Sequence, residues 1–246
     1  LDFMPLGEVN SVVRIVEGLA GETHFEMDLV MRFDYGRSVP WVERLDPLTL
    51  SAVAGPDRLI LCSTVPPQAR DHHTGCRFRV STGQRQVFSL RHQPSHLPVQ
   101  PDCNIDHALA NTCEQWQAFA DRCPQVGPYT ALVRRSLLTL KAMTYAPTGG
   151  IVAAVTTSLP ERVGGERNWD YRFCWLRDAT MTLLAFMNLG YFDEAQAWRE
   201  WLLRSVAGNP EQMQIMYGLA GERDLQEYTL PWLAGYEHSQ PVRVGN

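Results

Sequence analysis

The sequence has no apolar run approaching the length of a membrane span, which argues against a membrane-embedded chain. The opening LDFMPLGEVN lacks the basic and then apolar segments of an export signal. It reads like the middle of a domain, so a natural start is expected upstream, and a cytoplasmic location is the expectation. Positive charge is not in excess: the net charge is −5 and the isoelectric point about 5.8, so neither a nucleic-acid nor a membrane-surface partner is expected. The six cysteines (Cys62, Cys76, Cys103, Cys113, Cys123, Cys174) contain no CxxC pair and fit reduced, partly buried thiols better than a disulfide framework. No EF-hand loop is present, and His72-His73 has no cysteine or carboxylate spaced to complete a metal site. No metal and no cofactor are therefore expected.

What is present is enough apolar material, 45% of the residues against 20% charged, to build a substantial core. The first hundred residues carry short β-branched and aromatic runs: 11–17, 25–35, 59–65, 76–80 and 86–92. Gly-Glu, Gly-Arg, Pro-Asp, Pro-Pro and Thr-Gly pairs punctuate them, which predicts an antiparallel β-sandwich. After the proline-rich stretch 94–101 the period becomes helical. Residues 104–122 place Leu109, Cys113, Trp116 and Phe119 or Ala120 on one stripe, and 130–144 place Val133, Leu137 and Leu140 on another. Further helices are predicted over 180–189 and 194–206, separated by Gly190–Asp193. The expected fold class is α+β by segregation: a sandwich over 1–99, a linker helix over 100–127 and an all-α domain over 128–246.

Long loops alternate with helices in the second half, at 146–170, 207–218 and 219–246, and loops of that length are uncommon unless functional. They hold Trp169, Tyr171, Trp175, Tyr217, Trp232 and Tyr236 beside Arg167, Arg177, Asp178, Glu222, Arg223 and Arg243. That mixture suits a sugar. An aromatic ring stacks on the C–H face of a pyranose, while arginine donors and carboxylate acceptors hold its hydroxyls at fixed angles. Each residue also has a structural alternative. Asp178 precedes a helical run and is a candidate N-cap, Arg177 could form a surface ion pair, and Trp169 and Trp175 could be core anchors.

The run GGERNWDYRFCWLRDATMTLLAF resembles the sugar-binding signature of the glucoamylase-like glycoside hydrolases, family 15, which includes glucoamylases, glucodextranases and bacterial trehalases. TYAPTGGIVAAVTTSLPE upstream, QIMYGLAGERDL and LPWLAGYEHSQPVRVGN downstream, and RFDYGRSVPWV in the β half extend the likeness over essentially the whole chain. The resemblance implies an N-terminal β-sandwich followed by the first part of an (α/α)6 barrel. It also implies inverting hydrolysis of non-reducing-end α-glucosidic bonds. Glucoamylase-like action is the first expectation; trehalase or glucodextranase activity, or a non-catalytic carbohydrate-binding fragment, is the alternative. By position in the motif, Trp175, Arg177 and Asp178 line the glycone subsite with Tyr171, and Arg243 falls near the next subsite. The expected partner is an oligosaccharide or disaccharide containing α-linked glucose, with self-association left open.

An inverting glycosidase needs a general acid and a general base on opposite sides of the bond. The resemblance puts both of these glutamates C-terminal to the PVRVGN segment, beyond Asn246. Glu222 and Glu227 stand in a different context and are expected to be structural.

Overall fold

Alternation of side chains organises the first half of the chain into two antiparallel sheets. The structure, a computed structural model, describes residues 1–7, 10–100, 104–206 and 209–245; Cys103 and Asn246 lie outside the described residues. Two compact units are present, residues 1–117 and 118–246.

In the first unit, β1 (Asp2–Phe3), β2 (Ser11–Glu17), β4 (Trp41–Asp46), β5 (Thr49–Ala54), β6 (Asp57–Ser63) and β9 (Arg85–Pro94) form one sheet in the order β1-β2-β9-β6-β5-β4. The other sheet holds β3 (Glu22–Leu29), β8 (His73–Ser81) and β7 (Gln68–Arg70), in the order β3-β8-β7. Phe25 and Phe78 stack across the β3–β8 pair, and Phe78 meets Phe88 of the larger sheet at 5.4 Å between ring centres. The opposite face of the larger sheet is also covered. Arg58 and Gln93 donate to the Leu97 carbonyl, Gln93 to that of Pro98, and Arg91 to that of Gln100. Three polar side chains on one sheet face thus hold the proline-rich stretch in place. The run predicted as a strand over 25–35 is a strand only to Leu29; Phe33 then bridges Ser38 across a turn in which Asp34 and Tyr35 have positive φ.

Helix α1 (Ile105–Asp121) contains the boundary between the units, and α2 (Thr130–Ala142), α3 (Leu176–Asn188) and α4 (Phe192–Val206) follow. Cys113, expected on the apolar stripe of α1, is exposed. Thr112 is buried instead, its hydroxyl accepting from the Leu6 amide at 3.1 Å. In α3, Ala179, Thr182, Leu183 and Phe186 are buried at helical spacing. The helix ends in a Schellman motif: Gly190, at φ 82°, donates to Met187 and Tyr191 donates to Phe186. Tyr191 then packs with Phe186, Phe119, Cys123 and Leu137, and its hydroxyl donates to the Phe119 carbonyl at 2.9 Å. A second cluster joins Ile151, Cys174, Ala179, Leu183, Trp198, Trp201 and Tyr217. Among the described residues no helix is long and apolar enough to cross a membrane.

Candidate functional site

The stretch from Asn168 to Trp175 is non-helical, and burial divides its side chains, with Arg172 exposed. Asn168, Asp170 and Cys174 are buried, whereas Trp169, Tyr171, Phe173 and Trp175 remain partly exposed. The aromatics form a stripe along one segment instead of entering the core together. Backbone bonds hold that segment on both sides. Ala153 and Ala154 donate to the carbonyls of Phe173 and Tyr171, and the Tyr171 amide donates to Thr156. At the far end Cys174 and Trp175 pair with Tyr217 and Met216, and the Leu176 amide donates to Ile215.

Tyr171 and Trp175 face each other at 6.3 Å between ring centres, and Phe173 meets Trp175 edge-on at 6.4 Å. Burial pushes the Tyr171 phenol above its ordinary pKa, with nearby Glu161 adding to the effect. The hydroxyl donates to Glu161 at 3.5 Å, and the same carboxylate pairs with Arg167 at 3.4 Å.

Helix α3 begins four residues before the predicted start. The N-cap position is Trp175, without a side-chain cap bond, and Asp178 lies in the first turn. Asp178 is therefore not the cap. The early start follows from the β pairing that fixes Trp175, and the Thr180 hydroxyl donates back to the Leu176 carbonyl at 2.6 Å. The N-terminal end of a helix favours a carboxylate at that place. Asp178 pairs with Arg177 at 3.1 Å, with the arginine side chain 81% exposed. An ion pair this open contributes little to stability.

Arg243 joins the stripe at its other end. Its amide donates to Asn168 at 2.9 Å and its carbonyl accepts from Asp170 at 2.8 Å, a parallel bridge between Trp169 and Arg243. The guanidinium lies 5.0 Å from the Trp169 ring centre and 3.4 Å from the Glu227 carboxylate. The structure thus brings Tyr171 to Trp175 and Arg177 to Asp178, while Arg243 is joined to the segment through Trp169. Glu227 pairs with Arg243, and the Glu222 carboxylate accepts from the Ala220 amide at 3.0 Å.

Asn168 and Asp170 escaped the sequence reading. Asp170 is almost fully buried and grips Arg172 with both oxygens, at 3.1 and 2.8 Å, while also accepting its backbone amide at 2.9 Å. No local signal marks them: Arg172 shares their even positions and is exposed, and by residue type the aromatics at 169, 171, 173 and 175 would be the buried set.

Residues 127–246 match the sequence profile of Glycosyl hydrolases family 15. The chain is 35% identical over 250 residues to a trehalase of Mycobacterium tuberculosis, covering 96% of this chain and 36% of that protein. It is 36% identical over 251 residues to a trehalase of Mycolicibacterium smegmatis, covering 96% and 37%. A Thermoplasma volcanium trehalase is 30% identical over 250 residues, covering 100% of this chain and 40% of its own length. The chain spans roughly two-fifths of the length of these relatives.

Proposed function

Because the chain belongs to glycosyl hydrolases family 15, we propose that the full-length protein is an inverting glycosidase that hydrolyses α,α-trehalose. The observation that carries this reading is the reach of the likeness. The relatives named trehalase align over 96% to 100% of the chain, β unit included, whereas the family profile begins at residue 127. That favours trehalose over the starch-like substrate expected first from the motifs.

In this reading Trp175 and Tyr171 form a wall for the glucose whose bond is cut. Asp178 accepts from its hydroxyls, Arg177 donates to them, and Arg243 acts one sugar unit away. Helices α2 to α4 belong to an (α/α)6 barrel that holds these groups at one end. Bond cleavage needs a general acid on the leaving oxygen and a general base on water. We place that glutamate pair beyond Asn246, so the 246 residues alone supply grip without cleavage.

Proton NMR of the first turnovers on trehalose tests the stereochemistry. Inversion releases one β-glucose and one α-glucose from each molecule, while release of α-glucose alone would rule out the inverting assignment. Appreciable turnover by residues 1–246 alone would overturn the placement of the glutamates.

A further inference from the structure

Asn168 has no exposed surface, yet among the described residues its side-chain oxygen has no hydrogen-bond partner, while its amide nitrogen donates to the Gln240 carbonyl at 2.8 Å. Its backbone carbonyl accepts from Arg243. One buried residue therefore fixes both ends of the segment 240–243. Two more bonds hold the same loop. The Gly164 amide donates to the Ser239 hydroxyl at 2.9 Å, and the Gln240 amide donates to the Gly165 carbonyl at 3.2 Å.

The loop so held is strained and tightly folded. Glu237 and His238 both have left-handed φ, 49° and 63°, which costs energy for residues other than glycine. A Cβ at Gly235 would lie 2.4 Å from the Gln240 carbonyl oxygen and 2.8 Å from the Asn168 amide nitrogen, so no larger residue fits there. What this turn presents outward is aromatic: Trp232 and Tyr236 are about half exposed.

We infer that Asn168 is a positioning residue which, through this latch, sets the leaving-group side of the site and hence its preference for a disaccharide. The inference rests on the trehalase reading above. Trp169, with Arg243 on its ring, lies two residues before Tyr171 in sequence. Two extended residues span about 7 Å, roughly one sugar ring. If Tyr171, Trp175, Arg177 and Asp178 hold the glycone, then Trp169, Arg243 and the latched loop lie where the second glucose would sit. Asn168 touches no sugar itself.

The experiment compares trehalose with α-glucosyl fluoride, whose leaving group is too small to reach the second position, using full-length Asn168→Ala and Ser239→Ala. Asn168→Ala is expected to lower kcat/KM for trehalose about tenfold or more, mainly by raising KM, with less than about a twofold change on the fluoride. Ser239→Ala, a milder change to the same latch, should shift the two substrates in the same sense. Equal losses on both substrates, or no loss on trehalose in a folded variant, would overturn the latch. If Asn168→Ala fails to fold, the Ser239→Ala ratio decides. A wild-type protein cleaving the fluoride but not trehalose refutes the trehalase reading, and one cleaving neither refutes the hydrolase assignment on which both depend.

Discussion

At the scale of residues, the role proposed for the Arg177–Asp178 pair separates binding from stability. Their ion pair is local and open to solvent, so Asp178→Asn should leave the melting temperature nearly unchanged. Loss of a charge-assisted bond to a hydroxyl is worth about 1.5–3 kcal/mol, so kcat/KM on trehalose should fall roughly ten- to hundredfold. A large melting shift with unchanged kinetics would make Asp178 structural. Cys174 makes an independent prediction. Burial pushes its thiol from 9.0 up to about 12, so the folded state resists ionisation there while the unfolded chain does not. Its contribution is intact below about pH 9 and declines as pH rises toward 12, by about 1.4 kcal/mol per pH unit where only the unfolded thiol is ionised. Urea midpoints at pH 8 and pH 10 should show this decline, and Cys174→Ala should flatten it; an identical decline in that variant would contradict the assignment. In native protein a disulfide reagent should modify exposed Cys113 well before Cys174.

At the scale of elements, Arg223 has the clearest consequence. It donates to the Ser205 and Val206 carbonyls at the end of α4 and to Gln212 in the following loop, and its guanidinium lies 5.6 Å from the Tyr217 ring centre. Arg223→Ala leaves those helix-end carbonyls without these donors and frees the segment that pairs with Trp175. A loss of about 1–3 kcal/mol in urea denaturation is expected, together with weaker trehalose binding; wild-type values for both would refute the coupling. Helices were the most legible elements, since α2 follows the stripe of Val133, Leu137 and Leu140 and α4, Phe192–Val206, matches the helix predicted over 194–206. Strands β4 and β5 were not read. Pro40 and Pro47 flank β4, and the small residues of TLSAVA give no alternation. The start of α3 was hidden for another reason. It depends on a backbone pairing of Trp175 with Met216, forty-one residues away in sequence (216 − 175), which no local pattern encodes. The same holds for Asn168, whose partner Gln240 is 72 residues distant.

At the scale of the whole molecule, the family was legible because the run 164–186 resembles the signature of a known family, and a profile match over 127–246 agrees. Substrate choice was not legible. Trehalose and the starch-like glucans share the glycone glucose and differ on the leaving-group side, which the inference above assigns to a loop held by distant bonds. The most direct measurement is therefore kcat/KM of the full-length protein on α,α-trehalose, maltose and isomaltose under one set of conditions. The account predicts a preference for trehalose of at least about a hundredfold, the scale at which a site built for one sugar's hydroxyls rejects a misfit. Comparable or faster release of glucose from maltose or isomaltose would contradict it.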